Sequence, residues 1–161
     1  MAMPAHLTLE GEQQGVIDGS CDMHGREKTI LVYSMNHDIS IPRSPTDGLS
    51  TGKRVHGPLT ITKEFDKSTP KLYQALCTGE HLKNVTLKWY RITKQGKEEH
   101  YFTHVLEDAI IVSIRPSMPI TLLKTNDPYR HMDEVSFTYK KIKWTWVQGG
   151  IESEDSWEVP T

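Results

Sequence analysis

Apolar and polar residues alternate at every second position through most of this chain, a period of two that suits half-buried strands. Residues 6–10 place Leu7 and Leu9 between His6, Thr8 and Glu10, and Gly11 stops the run. Residues 28–41 set Leu31, Tyr33, Met35, Ile39 and Ile41 on one face and Ile30, Val32, Ser34 and Asn36 on the other, ending at Pro42. In residues 55–65, Leu59, Ile61, Lys63 and Phe65 alternate with Thr60, Thr62 and Glu64. Residues 82–93 carry Val85, Leu87 and Trp89 against Thr86, Lys88 and Tyr90. They turn at Gln95-Gly96-Lys97 and return as 98–115, a predicted hairpin that Pro116 and Pro119 end. In residues 134–147, Val135, Phe137 and Tyr139 hold one parity while Ile142, Trp144 and Trp146 hold the other. A strand that changes face needs an extra residue, so a bulge is expected near Lys140 and Lys141.

One helix interrupts the pattern. Ser68 or Thr69 suits its N-terminus, Pro70 its first turn and Gly79 a left-handed stop, with Leu72, Ala75 and Leu76 as a narrow apolar stripe. About ten residues of helix are marginal alone and must lean on the sheet. The expected fold is therefore mainly β, a two-sheet barrel or sandwich with one lateral helix, and the whole chain of 161 residues is read as one domain. Residues 42–54, with Pro42, Pro45, Gly48 and Gly52, read as a long polar loop, and a loop of that length in a compact domain is commonly functional. A second irregular stretch, 116–133, holds Pro116, Pro119 and Pro128. The predicted core aromatics are Tyr33, Phe65, Trp89, Phe137 and Trp144.

Composition narrows the function classes. Nineteen Lys and Arg against 21 Asp and Glu leave a net charge of −2, without the basic excess of a nucleic-acid protein, so no nucleic-acid partner is expected. The longest apolar stretches are far short of the roughly 20 residues that cross a bilayer, so no membrane insertion is expected. Residues 1–11 show neither a basic start nor an apolar run, so no secretory signal peptide is expected. Cys21 and Cys77 form no CxxC and read as free thiols in a reducing cytoplasm.

Catalytic and metal motifs are weak. His100 and His104 are four apart on a strand, roughly 13 Å at 3.3 Å per residue, too far to share a metal. Gly48-Leu-Ser-Thr-Gly52-Lys53-Arg54 has one residue too few for a phosphate loop, and Arg follows its Lys. No GxSxG is present, and neither a catalytic residue, a metal nor a cofactor is expected. Trp89, Trp144, Trp146 and Trp157 with several tyrosines could form a sugar-stacking platform, but their alternating strands favour packing. A monomeric β-barrel binding a carbohydrate or small ligand stands as the alternative function.

Taken together, Gly52-Lys-Arg54-Val-His56-Gly-Pro58, Phe65-Asp-Lys-Ser-Thr-Pro70-Lys-Leu72-Tyr with Gly79, Leu87-Lys-Trp89-Tyr90-Arg91, and Glu134-Val-Ser-Phe137-Thr-Tyr139-Lys-Lys-Ile-Lys-Trp144 resemble the haemolysin-coregulated protein (Hcp) family, the inner-tube subunit of the bacterial type VI secretion machine. The likeness runs from Pro4 to Trp157. It implies a two-sheet barrel with one lateral helix, assembled as a six-membered ring. The rings stack into a tube that a contractile sheath surrounds, a spike tips and a baseplate seats. It further implies assembly in the bacterial cytoplasm, then export through the type VI system, with small effector proteins carried in the bore and no catalysis. Under this resemblance the loop residues Arg43, Asp47, Lys53, Arg54 and His56 are candidates for ring stacking. Ser34 and Asn36, on the strand face left over when Leu31, Tyr33 and Met35 claim the interior, are candidates for the bore and its cargo. The ends of residues 98–115 and 134–147 are candidates for the contact between neighbours in a ring.

Overall fold

The structure, a computed structural model, describes residues 3–157. Among these residues the strands are β1 (Ala5–Gly11), β2 (Gly15–Ile17), β3 (Ile30–Asn36), β4 (Ile39–Ser40), β5 (Val55–His56), β6 (Leu59–Glu64), β7 (Leu82–Ile92), β8 (Glu98–Ser117), β9 (Met132–Thr138), β10 (Lys141–Trp146) and β11 (Ile151–Ser156), with helix α1 (Thr69–Thr78) between β6 and β7. Neighbours pair antiparallel in the order β11-β10-β8-β7-β1-β3-β6-β9, and a further β8–β9 pairing closes β8, β7, β1, β3, β6 and β9 into a six-stranded barrel. β10 and β11 extend the sheet as a flap beyond the barrel. Closure leaves the barrel strands no free edge along their paired lengths.

The interior follows the alternation. Leu7, Leu9, Leu59, Ile61, Val85, Leu87, Val135 and Phe137 are all 2% exposed or less. β8 is long enough to serve two partners: residues 102–107 pair with β10 and 110–117 with β9. The expected bulge near Lys140 and Lys141 is a full break between β9 and β10. Lys140 N–H still bonds Glu107 O, while Asp108 opposite takes a φ of +49°. β8 also runs past its expected end to Pro116 and Ser117, because over 110–117 it pairs only with β9 and its other side tolerates a residue without N–H.

Two core aromatics are corrected. Opposite β6 the register of β3 shifts between Val32 and Ser34, so Ile30 and Val32 point inward, Met35 packs partly on the core, and Tyr33 at the shift is 46% exposed. Phe65 lies one residue past the end of β6 and is also 46% exposed, its ring beside that of His131. Phe137 is fully buried, and Trp89 and Trp144 pack on the core from its margin. Two strands absent from the sequence reading, β2 and β11, pair with β1 and β10.

Helix α1 buries Leu72 and Ala75 beside β8 and ends at Gly79, whose φ of +68° is the left-handed stop. Its start is not capped by the Ser68 hydroxyl, which donates to Asp66 instead. A buried charge fixes this start to the barrel. Lys63 shares the core parity of Leu59 and Ile61 and has no exposed surface. Its ammonium donates to Asp133 Oδ2 (3.0 Å) on β9, Thr69 Oγ1 (2.9 Å), Asp66 Oδ1 (3.3 Å) and Glu64 O (3.1 Å). Four acceptors around one ammonium make this burial tolerable.

Candidate functional site

The segment read as a polar loop is a projecting ribbon. β4 and β5 pair through Ile39 with His56 and Ser40 with Val55. The ladder continues outward through Thr51 N–H to Pro42 O and Ser44 N–H to Leu49 O, both 2.8 Å, with a bridge between Arg43 and Ser50. At the tip Gly48, with φ +75°, lets its N–H reach Ser44 O, and Asp47 Oδ1 accepts the Leu49 N–H at 3.0 Å. Arg43, Asp47 and Lys53 are exposed on this arm. So is Leu49, 68% of whose surface faces water.

Arg54 and His56 do something different: they brace the base. Arg54 Nε donates to Asp155 Oδ2, and its Nη2 donates to Ser156 O at 2.7 Å. His56 is buried, with Nε2 2.7 Å from Asp155 Oδ2 and Nδ1 2.7 Å from the Tyr139 hydroxyl, which also meets His37 Nε2 at 2.8 Å. The Trp157 ring lies 5.1 Å from that of His56. This chain of polar contacts ties the arm to β11 and to the break between β9 and β10. The Arg54 guanidinium, helped by His56, holds the Asp155 carboxyl below the usual carboxylate range. Burial, reinforced by the charge of nearby Asp155, pushes the Tyr139 hydroxyl well above the usual phenol range. The Tyr139 hydroxyl is therefore neutral at every physiological pH and keeps a proton to donate. The sequence reading put Tyr139 on a strand but gave neither it nor Asp155 and His37 a part in a site, because their partners lie 83 to 102 positions away, with no local signal.

Ser34 and Asn36 lie exposed on the outward face of β3, and the register shows what stands beside them. Asn36 aligns with Thr60 of β6, which aligns with Ser136 of β9, which aligns with Ser113 of β8; Ser34 aligns in the same way with Thr62, Glu134 and Arg115. Thr60 and Ser136 hydroxyls meet at 2.9 Å. Two rows of polar side chains thus cross four adjacent strands with no apolar member, a face built for water rather than for a core.

The weak chemical candidates fall into ordinary roles. His104 Nδ1 accepts the Trp89 indole N–H at 2.8 Å, and His100 Nε2 lies 2.7 Å from Thr103 Oγ1. Among the described residues no three His, Cys, Asp or Glu side chains are placed to hold a metal, and no helix is long and apolar enough to cross a membrane. Cys21 is buried and Cys77 exposed, both as free thiols. Trp89 and Trp144 are committed to the core margin and Trp146 to Tyr101 and Arg91, which leaves no flat aromatic platform among them.

The class the structure defines is a closed six-stranded antiparallel β-barrel with one lateral helix, a braced arm and a polar outer face. Residues 6–146 match the family described as "Type VI secretion system effector, Hcp". The chain is 42% identical over 169 residues to the "Major exported protein" of Pseudomonas aeruginosa, covering 99% of this chain and 98% of that one. Among solved structures it resembles Hcp1 of Escherichia coli EAEC 042 at 37% identity and a TM-score of 0.86, covering 97% of this chain and 99% of that one. The secreted protein Hcp3 of Pseudomonas aeruginosa matches at 38% identity and 0.79, covering 98% and 100%. The chain belongs to the Hcp family of the type VI secretion system.

Proposed function

We propose that this chain is the ring-forming subunit of a type VI secretion tube and is exported with it. Six copies close side to side around a bore, and the rings stack into a tube that meets the sheath, spike and baseplate of the machine. The bore is walled by the outward face of β3, β6, β9 and β8, and small effector proteins travel against it; Ser34 and Asn36 are its cargo-facing residues. Arg43, Asp47 and Lys53 on the arm make the axial contact, while Arg54 and His56 hold the arm at the angle that contact requires. The protein acts by shape and adhesion rather than by turnover.

The arm carries this reading. A ribbon that exposes Leu49 and Val55 and yet is braced by a buried network at its base spends stability on rigidity that the isolated barrel does not need. A rigid protrusion suits a heterologous contact, in which one patch meets a different patch on the next copy and the pattern closes or propagates. Native mass spectrometry and electron microscopy test it together. Annuli with a mass six times that of the 18.4 kDa chain are expected, and a monomer at every concentration without annuli sinks the proposal.

A further inference from the structure

Residues 18–29 join β2 to β3 without helix or strand and lie across the outward side of β1. Leu7 and Leu9 point into the core, so His6, of opposite parity, points out; it is nevertheless only 1% exposed, because this strap covers it. The strap is closed on itself. Gly19 N–H donates to Lys28 O at 2.8 Å, Lys28 N–H to Cys21 O at 2.9 Å and Cys21 N–H to Thr29 O at 3.1 Å. A Cβ at Gly19 would meet Thr29 O at 2.3 Å, and Lys28 takes a φ of +67°, a backbone region that favours glycine. Lys67 N–H also ties the strap down by donating to Ser20 Oγ at 3.1 Å.

The hydrogen bonds around His6 fix its protonation. Thr29 Oγ1 gives its one proton to Arg26 O (2.8 Å), so it accepts from His6 Nδ1 (2.9 Å). Arg26 can only donate, so His6 Nε2, 3.4 Å from its Nη1, accepts. The strap is thus latched by a neutral imidazole, protonated at Nδ1 alone. Cys21 Sγ lies 3.9 Å from that same Nδ1, where it meets a donor and no base, and Cys21 is 8% exposed. A second proton would go to Nε2 and face the Arg26 guanidinium. Around it stand Lys88 and Tyr90 of β7 and Glu98 and His100 of β8, while β3 contributes the uncharged Leu31. Glu98, the anion of the group, is already held by Arg26, whose guanidinium also lies 3.8 Å from the Tyr90 ring centroid. Burial first, then the Arg26 charge, lower His6 to about 4 against the partial opposition of Glu98.

We propose that residues 18–29 form an acid-released strap, latched on β1 by neutral His6, and that Cys21 is the thiol its release exposes to disulfides and electrophiles. Protonating His6 takes away the Arg26 bond and sets two cations against each other, so the strap lifts while the closed barrel holds. The strap belongs to the single chain and is independent of the ring-and-stack reading. With the closed value near 4 and the free value near 6.5, the opening constant rises as pH falls through this window, about fifty-fold from pH 7 to 4.5.

The test reads Cys21 against Cys77, the exposed thiol of the same chain, so that the pH dependence of the reagent and of thiol ionisation cancels. Dithiodipyridine is the probe: each thiol forms a mixed disulfide and releases one thiopyridone, and peptide masses assign the rates. The Cys21-to-Cys77 ratio should climb about fifty-fold from pH 7 to 4.5 in the native chain and stay flat in His6→Gln, which cannot titrate. Hydrogen exchange on the unaltered chain, corrected for intrinsic rates, supplies a readout that needs no variant. The Gly19, Cys21 and Lys28 amides should lose protection in step with Cys21 reactivity, while those of Val85 and Leu87 in β7, paired on both sides, stay protected. A flat ratio, an equal climb in His6→Gln, or an equal loss of protection in β7 overturns the strap.

Discussion

At the scale of single residues, the most telling side chain is Lys63, whose strand parity places it inside and whose charge demands partners there. Replacing it with Met strands the Asp133 carboxylate, only 1% exposed, without a counter-ion, and removing one partner of a buried pair costs about 3–5 kcal/mol. Urea unfolding of Lys63→Met should show that loss, and Lys63→Met combined with Asp133→Leu should recover most of it. Equal loss in both variants would mean that the ammonium, rather than the unpaired carboxylate, carries the energy. Two histidines make a second prediction. Burial lowers His6 to about 4, with the Arg26 charge adding to it; burial lowers His104 to about 4, with His37 adding to it. Both native-state values lie below the ordinary 6.5, so the native chain binds fewer protons than the unfolded chain between pH 4 and 6.5. Stability is therefore full above pH 6.5 and declines as pH falls toward 4. The Tm should drop between pH 7 and 4.5, and His104→Gln should flatten that drop; a Tm that does not move across this window refutes it.

Among the elements, the arm and its brace separate what the sequence discloses from what it hides. The long strands, the helix with Pro70 and Gly79, and the parity change after Tyr139 follow from local patterns and were legible. β4 and β5 lie inside the stretches read as longer strands, 28–41 and 55–65, but their pairing into a separate ribbon leaves no local pattern, and β11 (Ile-Glu-Ser-Glu-Asp-Ser) has almost no apolar residue because it is a flap strand with little to bury. Tyr33 was misplaced because a register shift between paired strands leaves no trace in either strand alone. The site divides in the same way: Arg54 and His56 stand out at a loop–strand junction, but Asp155, which makes them a brace, was invisible. Asp155→Asn should therefore speed hydrogen exchange at the arm amides of Ser44, Thr51 and Gly57 by about tenfold or more while leaving the barrel strands protected. Because the Asp155 carboxyl titrates below the usual range, the brace is complete above that range and is lost only as pH falls through the lowered value. Arm protection, corrected for intrinsic exchange, should thus hold constant from pH 7 to 5 and fall in stronger acid. An arm equally protected in Asp155→Asn would show that the ribbon ladder alone keeps it rigid.

For the whole molecule, closing six strands into a barrel uses up the inward faces and obliges the outward faces to serve assembly or solvent. The rows Asn36-Thr60-Ser136-Ser113 and Ser34-Thr62-Glu134-Arg115 contribute nothing to the core, so folding does not explain their uniform polarity. Exposure to water is enough to explain it, and the proposed bore wall accounts for it as well, because a polar wall holds cargo loosely enough to leave. Asn36→Arg separates these roles. As an exposed surface substitution it should change stability by no more than about 0.5 kcal/mol, and annuli should form as before. If the face lines the bore, six added guanidinium groups crowd and charge the channel, and effector co-purification with the rings should fall several-fold, while Asn36→Ser retains it. Dispersal of the rings by Asn36→Arg would instead place this face between neighbours, and unchanged cargo retention would put the bore on another surface of the barrel.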